Sequence, residues 1–200
     1  KEIKLQEHRI GLTPESVKIL CDKGHKVIVE TNGGFEAGFL NEDYQKVGAI
    51  ICNNAKDIFK EAELIVKVKE PQASEVKMIR EGQIIYTYLH LAAAQNLTEG
   101  LIKSKCVCIA YETVTDDKGR LPLLAPMSAV AGRMSIQAGA HSLEKNQKGR
   151  GLLLGGAPGV EPANIVILGG GVVGENAAII ATGMKGKVYI VDKSKERLKE

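Results

Sequence analysis

Short apolar runs alternate with helix-like segments over the first 111 residues of the sequence. Each apolar run has the length of a buried β-strand, and each segment between two runs is typical of a short helix. The predicted strands cover residues 26–30, 49–52, 64–68, 84–89 and 107–111. The predicted helices cover residues 14–23, 42–47, 55–60, 74–79 and 96–103. Strands that alternate with helices favour the α/β class with a parallel sheet.

A second stretch of the same kind begins near residue 127. A helical pattern rich in small residues covers residues 127–146, and we interpret it as a link between domains; the glycine- and proline-rich residues 148–162 are predicted to fold against this helix or to form a hairpin. Strands at 165–168 and 188–191 flank a helix at 175–184, and another helix is predicted from Lys193.

These patterns predict two Rossmann-like, doubly wound parallel-sheet domains. The first covers residues 1–126, and the second covers residues 127–200 with the linking helix. Because such a sheet usually has about six strands, the second domain is expected to be truncated.

Three glycines, Gly169, Gly171 and Gly174, follow the strand at 165–168 with the spacing G-x-G-x-x-G. In dinucleotide-binding folds the first glycine allows a tight turn, the second lets a pyrophosphate approach the backbone, and the third lets the helix pack on the strand. Asp192 ends the next strand 18 residues after Gly174, where a carboxylate can accept hydrogen bonds from a ribose. This context favours a bound dinucleotide over a glycine-rich turn without a ligand.

Composition narrows the class of protein. Apolar residues make up 44% of the chain and charged residues 26%, with a net charge of +3, so nothing indicates a nucleic-acid partner. No apolar run reaches the roughly 18 residues of a membrane span. The four cysteines lack C-x-x-C spacing, so we expect reduced thiols in a cytoplasmic protein and no metal site.

Polar residues stand at the ends of three predicted strands, namely Lys69, His90 and Glu112. Ligands of open α/β sheets bind outside the carboxyl ends of the strands. Alone, such a lysine is usually solvated and such a histidine is usually a core residue. Together with Arg9 and a dinucleotide motif, they suit a small keto or amino acid. Lysine and arginine would hold its carboxylate, and histidine would hydrogen-bond the carbonyl oxygen and exchange a proton.

Several segments together resemble the alanine dehydrogenase family. They read EHRIGLTP at residues 7–14, VKVKEP at 66–71, TYLHLAA at 87–93, AYET at 110–113 and LPLLAPMS at 121–128, and the glycine-rich residues 149–159 and 169–174 continue the match. The resemblance implies an enzyme that interconverts L-alanine and NAD with pyruvate, ammonia and NADH. It also implies a homohexamer, with no nucleic-acid or membrane partner.

The resemblance also implies a role for each matched residue. Lys69 and His90 are the expected catalytic residues. The expected substrate-binding residues are Arg9, Lys69, Glu112 and Met127. The expected cofactor-binding residues are Ser128, Gly169, Gly171, Gly174 and Asp192. The carboxylate of Asp192 further favours NAD over NADP, because it would repel a 2′-phosphate.

Two alternatives stay open at this stage. The chain could be a non-catalytic dinucleotide-binding module, or the nucleotide-binding part of a proton-translocating transhydrogenase. Lys69 and His90 favour the dehydrogenase, since the resemblance implies that the transhydrogenase lacks both. Saccharopine dehydrogenase and carboxyethylornithine synthase are more distant possibilities. The family's catalytic aspartate lies beyond the matched segments, so we do not expect these 200 residues alone to be active.

Overall fold

The computed structural model describes residues 1–199, which form two compact units that divide between Val114 and Thr115. The division predicted after residue 126 lies twelve residues further along, within the first turn of helix α6 (Ala125–Ser142). The structure therefore assigns this long helix to the second unit.

The first unit has the predicted alternation of strands and helices. Its helices are α1 (Pro14–Asp22), α2 (Asn41–Lys46), α3 (Ala55–Glu61), α4 (Ala73–Val76) and α5 (Gln95–Ser104). Its strands are β1 (Ile28–Glu30), β2 (Ile50–Cys52), β3 (Leu64–Val66), β4 (Ile84–Thr87) and β5 (Val107–Ala110). Strands β1 and β2 form one parallel pair, and β3, β4 and β5 form a parallel sheet with β4 in the centre. The parallel α/β class is thus confirmed.

Local sequence explains where these helices begin. Thr13 caps α1, because its hydroxyl oxygen accepts the Ser16 N–H at 3.3 Å and Pro14 occupies the first helical position. Asn54 caps α3 in the same way, with its Oδ1 accepting the Asp57 N–H at 3.0 Å. Both starts were readable from the sequence, and both helices begin where it predicted.

Two apolar cores hold the first unit together. Ile85 of the central strand is fully buried and belongs to one apolar cluster with Phe59 of α3 and Leu101 of α5. A second core joins Val17 of α1 to Tyr44 of α2. Burying an aliphatic side chain of this size stabilises a fold by about 1.5–3 kcal/mol, so these cores fix the positions of the strand ends.

The second unit contains a parallel strand pair and two packed helices. Strand β6 (Asn164–Leu168) leads into helix α7 (Val172–Gly183), which leads to β7 (Lys187–Val191) beside β6. Helices α6 and α7 cross at Gly132, where a Cβ atom would stand only 2.2 Å from the Val173 carbonyl oxygen. The residues at 148–162 fold against α6 through buried Leu154 and form one small antiparallel bridge.

Two further findings concern local structure. The helix predicted from Lys193 is wrong over the described residues 193–199, which form turns because the Asp192 and Ser194 side chains accept nearby backbone N–H groups. Among residues 1–199, no helix combines the length and the apolar character that crossing a membrane requires.

Candidate functional site

The carboxyl ends of β3 and β4 lie side by side, because the two strands pair in parallel. Backbone pairing continues beyond them, with the Tyr88 N–H donating to the Val68 carbonyl oxygen at 3.2 Å. The Thr87 hydroxyl also donates to the carbonyl oxygen of Lys69 at 3.0 Å. The structure thus brings Lys69 and His90 to the same edge of the sheet, while their catalytic roles stay predictions.

His90 has an exposed side chain and an unusual backbone. Its φ of 50° and ψ of 38° are left-handed, a conformation that side-chain-bearing residues seldom adopt. Its imidazole ring stacks on the Tyr88 ring, with centroids 6.0 Å apart and planes at 15°. The interpretation of His90 as a core histidine is therefore wrong, and its ring is available to a ligand.

Glu112 binds the backbone that carries His90. It lies on the 3₁₀ turn Tyr111–Thr113 after β5, and its Oε1 accepts the His90 N–H at 2.7 Å and the Leu89 N–H at 3.1 Å. Burial acts to raise the pKa of Glu112, but the hydrogen bonds from His90 and Leu89 and the charge of His90 outweigh it, so the pKa is lowered. Glu112 was predicted as a substrate neighbour, and the structure shows it fixing the histidine's position.

Arg9 is bound side-on by Glu7, a partner that the sequence analysis missed. Its Nε donates to Oε1 at 2.8 Å and its Nη2 donates to Oε2 at 2.7 Å. These bonds chiefly lower the pKa of Glu7 to about 2, and the charge of Lys69 contributes in the same direction. The Arg9 pKa is raised, first by Glu7 and further by Tyr88 and Glu2. Arg9, Glu7, Lys69 and Tyr88 therefore share one electrostatic environment.

Three tyrosines form an aromatic cluster, of which Tyr88 stacks on the His90 ring. Tyr111 meets Tyr86 edge-on at 4.3 Å and Tyr88 edge-on at 4.9 Å between ring centroids. Burial raises the pKa of both Tyr88 and Tyr111, so both hydroxyls stay protonated at neutral pH. The alternation Tyr86-x-Tyr88 in a predicted strand was a usable signal, because residues two apart in a strand share a face.

Lys67 differs from Lys69 although the sequence places both on one face of a strand. Its side chain is 7% exposed, and its Nζ donates to Glu2 at 3.0 Å and to Glu75 at 2.8 Å. Burial acts to lower its pKa, but the two carboxylates outweigh this and the pKa is raised. Lys67 is therefore a buried, charged structural group and no ligand donor.

The three motif glycines of the second unit meet three different requirements. Gly169 has a φ of +100°, which favours glycine at the turn after β6. A Cβ atom on Gly174 would stand 1.8 Å from the Gly169 carbonyl oxygen, so only glycine lets α7 lie this close to the turn after β6. A Cβ atom on Gly171 would meet nothing within 4 Å. Open space at Gly171, just before the N-terminus of α7, fits the approach of a pyrophosphate.

Asp192 lies beside this turn. Its Oδ1 accepts the Ser194 N–H at 2.8 Å and its Oδ2 accepts the Gly170 N–H at 2.6 Å, and these bonds lower its pKa. A carboxylate has about four acceptor positions, so Asp192 can hold the glycine turn and still accept from a ribose hydroxyl. The donor set therefore fits a dinucleotide.

Met127 and Ser128 stand in the first turn of α6, and both are half-buried. The Ser128 N–H donates to the Leu124 carbonyl oxygen at 3.0 Å. Their roles toward substrate and cofactor stay predictions. Within residues 1–199, no three His, Cys, Asp or Glu side chains are grouped to hold a metal ion.

Comparisons with known proteins cover both units. The N-terminal domain of the alanine dehydrogenase/PNT family matches residues 1–131, and its C-terminal domain matches residues 135–200. Alanine dehydrogenase of Halomonas elongata is 54% identical over 198 residues, 99% of this chain and 53% of that protein. Alanine dehydrogenase of Geobacillus stearothermophilus is 50% identical over 201 residues, 100% of this chain and 54% of that protein.

Solved structures extend the comparison to three dimensions. A structure of L-alanine dehydrogenase matches with a TM-score of 0.90 and 52% identity, over 100% of this chain and 55% of that one. A transhydrogenase from Sinorhizobium meliloti matches with a TM-score of 0.81 at 23% identity, over 100% of this chain and 59% of that one, which shows a shared fold. The chain spans about half the length of the curated relatives that it matches.

Proposed function

Because the chain belongs to the alanine dehydrogenase/PNT family, we propose that the full-length protein is an NAD-dependent enzyme that interconverts L-alanine with pyruvate and ammonia. The observation that carries the proposal is the placement of Lys69 and His90 at neighbouring strand ends, with the charge of Lys69 also acting on Glu7, the partner of Arg9. Two cations and an exposed imidazole are the groups that recognise and protonate a small keto acid.

The substrate carboxylate would bind to Arg9 and Lys69. A guanidinium has two edges that can hold a carboxylate with two parallel hydrogen bonds. Glu7 binds Nε and Nη2, which orients the guanidinium that the substrate carboxylate would meet. Lys69 adds a compact charge beside it, which would orient the keto group relative to His90.

His90 would carry the proton. During amination the keto oxygen leaves as water, and an imidazolium can donate the proton that this departure requires. In the reverse direction the neutral imidazole accepts it. Stacking on Tyr88 and the hydrogen bond from the His90 N–H to Glu112 restrict the ring's position before substrate arrives. Glu112 and Met127 are proposed to border the substrate.

The residues of the second unit would hold NAD, which supplies or accepts the hydride when it is bound. The N–H groups at the start of α7 would face the pyrophosphate above Gly171. Asp192 would accept from the adenosine ribose and disfavour a 2′-phosphate. Ser128 is proposed as a further cofactor contact. From the family resemblance and the four free cysteines we also propose a cytoplasmic homohexamer.

The test uses the full-length protein with alanine and NAD, and it follows NADH formation. Lys69→Ala should raise the KM for pyruvate in the reverse reaction, and His90→Ala should lower kcat by roughly 10²–10⁴-fold. NADH affinity should persist in both variants, because the proposed phosphate site is in the second unit. Absence of alanine-dependent NADH formation by the wild type would refute the proposed function. Near wild-type turnover of His90→Ala would show that His90 does not transfer the proton.

A further inference from the structure

We propose that Glu2 is a positioning residue, which places the polypeptide that carries Arg9 against the strand end that carries Lys69. Buried Lys67 is the group through which it acts. The inference rests on the proposed function, because Arg9 and Lys69 are the cations assigned to the substrate carboxylate.

The N-terminal segment, residues 1–10, has neither helix nor strand to hold it in place. Side chains hold it instead. Glu2 Oε2 accepts from Lys67 Nζ at 3.0 Å, and Glu2 Oε1 accepts from the Val68 N–H at 2.6 Å. Both charged side chains are at least nine-tenths buried. The Glu2 carboxylate therefore binds the side chain of Lys67 and the backbone of Val68, the two residues that directly follow β3.

A second ion pair repeats this connection, two residues beyond Glu2 on the N-terminal segment and three residues beyond Lys67. Lys4 pairs with Glu70, whose side chain is mostly buried. Residues 67, 68 and 70 thus all bind the N-terminal segment, and Lys69 stands between them. This arrangement fixes the backbone on both sides of Lys69 and leaves the Lys69 side chain out of the pairing.

Arg9 lies on the same segment, between these contacts and Gly11, where a Cβ atom would stand 3.2 Å from the Val66 carbonyl oxygen. Arg9 follows Glu2 by seven residues, and the charge of Glu2 contributes to the raised pKa of Arg9. The charge of Lys69 contributes to the lowered pKa of Glu7, the partner of Arg9. Glu2 connects the segments to which the two cations belong, through Lys67 and the Val68 N–H.

Stability alone does not account for this buried group. One ammonium and two carboxylates are taken from water, and desolvation of buried ions often cancels their attraction. The third member, Glu75, binds Lys67 at 2.8 Å and accepts the Gln72 N–H at 2.8 Å, so it serves the start of α4. Glu2 and Glu75 are thus equivalent toward Lys67 but position different parts of the chain.

This equivalence provides a matched pair of variants, Glu2→Gln and Glu75→Gln, in the full-length enzyme. Each leaves Lys67 with one carboxylate and gives the buried group the same net charge. We expect Glu2→Gln to raise the pyruvate KM by about tenfold with NADH affinity unchanged, because misplaced cations weaken carboxylate binding. Glu75→Gln should leave the pyruvate KM within about twofold of wild type, even with a similar loss in melting temperature.

Glu2→Asp is the alternative test variant if Glu2→Gln does not fold. It keeps the charge but shortens the side chain by one methylene, so it should retain most of the melting temperature and still raise the pyruvate KM several-fold. An unchanged KM in the Glu2 variants, or equal rises in the Glu2 and Glu75 variants, would overturn the positioning role. Wild-type turnover in the same assay separates this result from failure of the proposed function, since an inactive wild type would refute both.

Discussion

Substitution by alanine is expected to have opposite consequences at Gly171 and at Gly174. At Gly171 the added methyl group would meet no atom within 4 Å, and the φ of −72° is one that alanine adopts readily. At Gly174 the methyl group would stand 1.8 Å from the Gly169 carbonyl oxygen and 2.9 Å from its carbon. The first site has space for a ligand, whereas the second is filled by the protein's own backbone.

The magnitudes follow from these distances. A carbon and a carbonyl oxygen need about 3.2 Å, so Gly174→Ala forces the turn and α7 apart by more than 1 Å. Overpacking of this kind costs about 1–3 kcal/mol, and we expect the upper part of this range because both partners are backbone. Gly171→Ala should leave the free energy of unfolding unchanged or raise it by about 0.4–1 kcal/mol. It should weaken NADH binding at least tenfold, about 1.4 kcal/mol.

Both variants are measured in the full-length protein, by thermal unfolding without cofactor and by fluorescence titration with NADH. The expected pattern is a stable Gly171→Ala protein that binds NADH poorly, and a Gly174→Ala protein whose melting temperature falls. If Gly171→Ala binds NADH as the wild type does, the phosphate does not approach the backbone there and this placement of the cofactor is wrong. If Gly174→Ala melts unchanged, the turn is less constrained than the distances indicate.

Three further outcomes are expected. The pKa of Glu7 is lowered from 4.5 to about 2 in the folded state, so its contribution to stability is present above pH 4.5 and is lost as the pH falls toward 2. The urea midpoint of Glu7→Gln should therefore fall less on acidification than that of the wild type. An equal fall in both proteins would contradict this. Asp192→Ala should bring kcat/KM for NADPH closer to that for NADH, and an unchanged ratio would show that Asp192 does not select the cofactor. His90→Gly should be more stable than His90→Ala by about 0.5–1 kcal/mol, because the left-handed backbone at this position disfavours a Cβ atom; a lower melting temperature for the glycine variant would argue against strain.

Local patterns predicted much of the fold. Apolar runs located all seven strands found within residues 1–199, although β3 and β4 end at Val66 and Thr87, earlier than predicted. The parallel pairing of these two strands then brings Lys69 and His90 to one edge. Such information is available because strand formation and helix capping depend on residues that are close in sequence.

The contacts that hold the candidate site in place were not predictable in this way. Glu2 meets Lys67 across 65 residues of sequence, and Glu112 meets His90 across 22. A glutamate in an irregular segment has no periodicity that distinguishes it from a solvated one. The partner of Arg9 was within reach, since Glu7 is only two residues away, but both lie in an irregular segment whose side-chain directions follow no period.

The conflict between sequence and backbone at His90 indicates why Glu112 is needed. A left-handed conformation costs a residue with a side chain roughly 1–2 kcal/mol, and an isolated turn would relax out of it. Hydrogen bonds to a charged acceptor contribute about 1.5–3 kcal/mol each, and Glu112 accepts from both Leu89 and His90. The carboxylate therefore outweighs the strain and keeps the imidazole exposed beside Tyr88. Departures from local preference of this kind are expected where a position serves function rather than folding, and here the departure falls on the residue proposed to transfer the proton.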